Sequence, residues 1–208
     1  MPRSAVTRKT SNSATTDTRQ RILAAAKDEF ARYGIAGARV DRLAKQARTS
    51  KERVYAYFSS KEDLYRHITG LETAALIEAT HMDPADLPGY AGILFDHFTA
   101  HPDHYRLINW GRLELGDGDV EADSDTVAPL RTTIAGKVER LRDAQRAGLI
   151  DSSWDPVDVL ALINQIATTW AGQPEFGAAA AELAADTSVG ARRAALVAAV
   201  ERLFPRPR

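Results

Sequence analysis

The sequence predicts an all-α protein, a small N-terminal helical unit followed by a larger helical bundle, about nine helices in all. Three observations predict it. Apolar residues recur at three- and four-residue spacing through most of the 208 positions. No stretch alternates apolar and polar residues convincingly enough to make a strand, and no internal repeat is present. Two prolines and a glycine in "HMDPADLPG" mark a break between periodic runs.

Residues 1–17 are rich in Ser, Thr, Arg and Lys and lack an apolar period, so they read as a flexible basic arm. A first helix follows, with Thr18 as its cap, Ile22, Ala26, Phe30 and Tyr33 on one face, and Gly34 as its stop. Val40, Leu43, Ala44 and Ala47 mark a short second helix, broken at "RTS". Ser50 can cap a third, whose Val54 and Phe58 are four apart. In "SSKED", Ser60 with Asp63, or Ser59 with Glu62, resembles a capping box opening a fourth helix through Leu64, Ile68, Leu71 and Ala75. Residues 18–65 are therefore read as the small unit and 66–208 as the bundle.

In the bundle, Ile93, Leu94, Phe95 and Phe98 share a helix that "HPD" ends, and Tyr105, Leu107, Ile108, Trp110 and Leu115 share the next. "GDGDVEADSD" reads as an acidic loop. Val127, Leu130, Ile134, Val138 and Leu141 form a long stripe ending at Gly148; Val157 to Trp170 forms another; Leu196, Val197, Val200 and Leu203 lie on a final helix.

Composition narrows the function. The absence of cysteine excludes disulfides, thiolate metal sites and a cysteine nucleophile, and fits a reducing cytoplasm. No apolar run approaches the roughly 18 residues of a membrane span. The net charge of −1 hides an asymmetry: residues 1–70 carry fifteen Lys and Arg against seven Asp and Glu, the remainder twelve against twenty-one. A basic front suits a polyanion.

Two short helices joined by a three-residue turn have helix-turn-helix spacing. The third helix would then present Lys51, Glu52, Arg53 and Ala56 to base edges, while Val54 and Phe58 anchor it from behind. Tyr55 and Tyr57, with only Ala56 between them, would reach phosphates on opposite walls of the groove, and Lys61 at the next helix start would add another phosphate contact.

At these residues the chain resembles the TetR family of bacterial transcriptional regulators, above all across "RQRILAAAKDEFARYGIAGARVDRLAKQARTSKERVYAYFSSKEDLY". The positions that carry the likeness are Phe30, Gly34, Ala44, Ala47, Ser50, Lys51, Tyr55, Tyr57, Phe58, Lys61, Glu62 and Leu64. The resemblance implies a homodimeric repressor on a palindromic duplex operator, released by a small molecule held in the C-terminal domain, with no cofactor. It implies phosphate contacts from Tyr55, Tyr57 and Lys61, with Ser50 at the helix start and Arg39, Asp41 and Arg42 at the DNA edge. Arg48 stands where the family usually has glycine; a left-handed arginine costs about 1–2 kcal/mol, which a phosphate contact could offset. Glu52 and Arg53 replace the small residues often found there, so no operator sequence carries over.

Aromatics interleaved with polar groups suit an effector pocket: Phe95, Phe98, His101, Tyr105, Asn109, Trp110, Glu114, Ile134, Gln165 and Trp170 are the candidate lining. Val157, Leu160, Ile163, Asn164 and Ala167, with Leu196, Val200 and Leu203, are the candidate dimer contacts. The rival reading is a helical enzyme or metal protein using His97, His101 and His104. It is weakened by Pro102, which should end the helix at His101, and by the lack of a zinc-protease glutamate after His97. The acidic loop lacks the glycine and glutamate of a calcium loop at its sixth and twelfth positions.

Overall fold

The computed structural model describes residues 7–115, 128–179 and 181–205. The acidic loop, and with it the calcium-loop comparison, lies outside them. Among the described residues there are eleven α-helices, one 3-10 turn and no strand.

Helix α1 spans Thr7–Gly37 and is non-helical at Gly34 (φ 69°). It starts eleven residues before the expected cap. Thr18 does not cap it; its hydroxyl accepts from Arg21 at 3.1 Å. Residues 7–17 therefore continue the helix rather than forming an irregular arm, and residues 1–6 lie outside the described residues. The physical reason is the absence of Gly or Pro anywhere in 3–33, which leaves nothing to stop a helix nucleated by the apolar face further on. The break at Gly34 is as expected, and only glycine fits there. Its φ is left-handed, and an added Cβ would lie 2.3 Å from the Glu114 carboxylate and 2.9 Å from the Trp110 ring.

The short helices α2 (Val40–Gln46) and α3 (Lys51–Tyr55) follow, then α4 (Lys61–Ala79). The start of α4 follows the first expected cap, Ser60 with Asp63, and Ser59 also turns to Asp63 rather than to Glu62. Ser60 Oγ accepts from the Asp63 N–H at 2.9 Å, and the Asp63 carboxylate accepts from the Ser59 N–H at 2.8 Å. After the 3-10 turn (Pro84–Asp86) come α5 (Leu87–Ala100) and α6 (Pro102–Glu114), divided at His101 as Pro102 dictates. The rest is α7 (Ala128–Arg146), α8 (Pro156–Ala167), two short helices α9 (Thr169–Gly172) and α10 (Pro174–Ala179), and α11 (Val189–Leu203).

These helices form two compact units. The first comprises the chain up to Glu72 and the part of α6 from Arg106; the second comprises Thr73–Tyr105 and the chain from α7 onward. The sequence division at residues 65 and 66 follows chain order, whereas packing cuts α4 and α6 within their lengths. The first core is Ile22, Phe30, Leu43, Val54, Leu64 and Ile68, joined by Leu107 of α6. Tyr65 sits in it at 2% exposure, edge-on to Phe30 at 5.5 Å, with its hydroxyl donating to the Leu107 carbonyl at 2.5 Å. The buried phenol thus satisfies its polar atom, and burial pushes its pKa up to about 12. The second core is built from α5, α7, α8 and α11, with Leu94, Leu141, Ile163 and Val200 at its centre.

Candidate DNA-recognition surface

The turn between α2 and α3 is made by backbone hydrogen bonds. The Arg48 N–H donates to Lys45 O at 3.2 Å, and the Thr49 N–H donates to Ala44 O at 2.9 Å. This is a Schellman cap, whose left-handed residue is normally glycine. Here it is Arg48, at φ 54°, the one non-glycine residue with positive φ among the described residues. The left-handed backbone that the sequence comparison raised for Arg48 is present. Helix α3 then begins at Ser50, whose Oγ accepts from the Arg53 N–H at 3.2 Å.

Val54 and Phe58 are buried at 1% and 5% exposure. Lys51, Glu52, Arg53, Tyr55 and Ala56 are exposed, while Tyr57 is half-buried beside Phe58. The Arg53 guanidinium stands 5.8 Å from the Tyr57 ring. The anchored side and the free side of α3 therefore divide as its sequence suggests. Lys51 donates to Asp41 at 3.1 Å, and both side chains are exposed, so a phosphate can compete for the ammonium. Their contact holds the Lys51 pKa above its usual value. Lys61 donates to the Ala36 carbonyl at 3.2 Å, which poises it beside the end of α1.

Glu29 organises the start of α2, a role that sequence reading missed. It is 4% exposed, accepts from the Arg39 N–H at 2.7 Å, and pairs with Arg42 at 2.6 Å. Arg39 has no side-chain cap of its own, so Glu29 supplies one. Burial would raise the Glu29 pKa, but hydrogen bonds from Arg42 and Arg39 and their charges outweigh it and hold the carboxyl below its usual value. The Arg42 guanidinium also lies 4.2 Å over the Tyr33 ring. Arg42 thus has a structural task within the chain, while its side chain stays 42% exposed. The only signal for Glu29 was a carboxylate one position before Phe30 in an otherwise apolar stripe.

Arg19 donates to Nε2 of His67 at 2.7 Å, and both flank Phe58, at 5.7 and 5.5 Å. Burial and the Arg19 charge lower the His67 pKa.

The ten pocket candidates divide between the two units. Asn109, Trp110 and Glu114 belong to the first unit. There the Trp110 indole donates to Ala31 O at 3.4 Å and Glu114 accepts from the Ala36 N–H at 2.6 Å, so both clamp the end of α1. In the second unit Phe95 and Phe98 are buried, and Tyr105 packs on Phe98 at 5.9 Å. His101, Ile134 and Gln165 are exposed, while Trp170 is half-buried beneath Arg192. A cleft lined by Pro84, Leu87, Leu149, Ile150, Val197 and Phe204 contains none of the ten.

Most of the dimer candidates pack inside the second unit. Leu160, Ile163, Ala167, Leu196 and Val200 are buried within this unit's own core, and Leu203 is half-buried against it. Only Val157 and Asn164 are exposed. The apolar stripe that sequence reading assigned to a partner faces α5 and α7 instead. His97 Nε2 and His104 Nδ1 lie 3.1 Å apart, but among the described residues no three such side chains converge on a metal-sized site.

Among the described residues no helix is long and apolar enough to cross a membrane. The family model "Bacterial regulatory proteins, tetR family" matches residues 22–68, and "Tetracyclin repressor-like, C-terminal domain" matches residues 86–202. The HTH-type transcriptional repressor SCO4008 of Streptomyces coelicolor is 36% identical over 154 residues, which is 74% of this chain and 78% of that protein. The crystal structure of SCO4942 from Streptomyces coelicolor superposes with a TM-score of 0.83 at 74% identity, covering 91% of this chain and 99% of that one. A TetR family regulator from Marinobacter aquaeolei shares the fold at a TM-score of 0.71 and 15% identity, over 95% and 100% of the two chains. With two family models spanning most of its length, a helix-turn-helix head and a repressor among its relatives, the chain belongs to the TetR family of bacterial transcriptional regulators, DNA-binding proteins rather than enzymes.

Proposed function

We propose that this regulator acts in the cytoplasm as a homodimeric repressor of a palindromic operator and is released by a small-molecule inducer. The single observation that carries the reading is the two-sidedness of α3. Val54 and the following Phe58 are sealed in the core, and Lys51, Glu52, Arg53, Tyr55 and Ala56 face outward. Arg53 suits guanine and Glu52 suits cytosine, each pairing worth roughly 1–3 kcal/mol of discrimination. Tyr55, Tyr57, Lys61 and Arg48, with Arg39 and Ser50 beside them, serve as phosphate contacts that fix register.

The doubling of the head draws on the outward faces of α8 and α11. Val157, Ala161 and Asn164 are exposed on one, and Ala194, Ala195 and Ala199 on the other. Small residues permit close approach of helices, and a two-fold pairing would set two heads roughly 34–36 Å apart for successive major grooves.

The test is footprinting of the purified protein on duplex DNA around its own gene, with sedimentation of the free protein. Protection of an inverted repeat by a dimer is expected. A chain that stays monomeric, or that binds no fragment at low salt, overturns the reading.

A further inference from the structure

The second unit holds a cation in an unusual setting. Lys137 of α7 donates to the Tyr90 hydroxyl of α5 at 2.7 Å, and its ammonium lies 4.8 Å from the Tyr90 ring. Tyr90 is 2% exposed in a core that includes Leu94, Val138 and Leu141. Among the described residues no carboxylate pairs with this ammonium. By contrast Lys27 pairs with Glu72 at 2.7 Å and Arg193 with Asp96 at 2.9 Å. Burial, and then the like charge of Arg140, pull the Lys137 pKa below its ordinary value. A desolvated cation without a counter-charge is costly, and an arriving anion would offset that cost.

The donors also converge. Lys137 spends one N–H on Tyr90 and has two more. The Tyr90 oxygen accepts that bond, which leaves its own proton to donate. On α7, Leu130, Ile134, Lys137 and Leu141 fall on one stripe. Leu141 is closed in the core at 0% exposure, while Ile134 and Leu130 are open at 45% and 40%. An uncovered apolar track thus leads to a group of cationic and hydroxyl donors.

Resting on the reading that a small molecule releases this regulator, we propose that the effector is a compound with an apolar body and an anionic end, its body along Ile134 and Leu130 and its anion held by Lys137 and Tyr90. The rival role for Lys137, a long side chain bridging two helices, gives no preference for charge in a ligand.

The test pairs two fluorescent probes of one skeleton, 1-anilinonaphthalene-8-sulfonate and the uncharged N-phenyl-1-naphthylamine, titrated into the full chain. Charge-assisted hydrogen bonds at a partly buried site predict that the sulfonate binds about ten-fold or more tightly than its neutral partner. Lys137→Met should erase that preference, Lys137→Arg should keep it, and Tyr90→Phe should reduce it, each variant being checked for a native melt. Equal affinities, no binding of either probe, or a preference that survives Lys137→Met overturns the proposal. Operator binding of the same unliganded samples separates the two readings. A chain that footprints normally but fails the probe test loses only the anionic effector; a chain that binds no DNA loses the regulator reading.

Discussion

The Glu114 carboxylate accepts a hydrogen bond from the backbone N–H of Ala36 at 2.6 Å, across 78 positions of sequence. Ala36 follows the break at Gly34, so its N–H is one of the orphans that a helix interruption creates. Its carbonyl in turn accepts from Lys61. One peptide segment is thus tied from both sides, by an acid on α6 and a base on α4. Replacing Glu114 with alanine should cost roughly 1–2 kcal/mol, the range of a charge-assisted bond at a partly exposed site. Urea denaturation should report the loss, and amide exchange should show it concentrated at residues 34–38. Unchanged exchange there would remove the clamp from the account.

Glu29 makes stability depend on acid. Its pKa is lower folded than the usual value of 4.5, so the folded state binds fewer protons than the unfolded chain in that range. The stabilisation is complete above about pH 4.5 and is lost as pH falls through the depressed folded value. Melting temperatures of the wild type should fall below pH 4.5 more steeply than those of Glu29→Gln, which should start lower at pH 7 and decline less. Parallel curves for the two proteins would sink this assignment.

Arg48 carries backbone strain at φ 54°. Arg48→Gly should raise stability by about 1 kcal/mol, because glycine adopts the left-handed region without steric cost. The same change should weaken operator binding. Stability and affinity moving up together would show that the arginine touches no phosphate.

Lys61 gives a test through salt. Lys61→Ala should weaken binding to all duplexes alike and reduce the slope of log affinity against log salt by about 0.9, one phosphate's worth. Arg53→Ala should instead narrow the gap between operator and unrelated DNA. Anisotropy titrations at several salt concentrations distinguish the two patterns, and a change of specificity in Lys61→Ala would contradict its role.

The head was legible because its information is local. Cap, turn and anchor residues lie within a few positions of one another, from Arg48 to Asp63, and each uses short-range backbone geometry. Even the left-handed turn could be read at Arg48, although Gly148 closes α7 with the same pair of bonds and the expected residue. The pocket and the dimer face are less legible for the opposite reason. A stripe such as Leu160, Ile163 and Ala167 shows that a face is buried, not what buries it. Trp110 and Glu114 likewise sit on a helix whose two halves pack in different units, and no periodicity marks the changeover between Tyr105 and Arg106. Glu29 and Lys137 were overlooked because a lone charge in an apolar stripe resembles ordinary surface variation.

Helix α3 has only five residues. Such a rod advances about 7.5 Å along its axis, roughly two base-pair steps of duplex. A single head can therefore spell out only a very short word, and chance copies of so short a word crowd any chromosome. On the proposed pairing of two heads, where this protein settles is written in the distance and phase between repeated words and in the pliancy of the letters separating them. Bases that it never touches belong to its address as much as those it does.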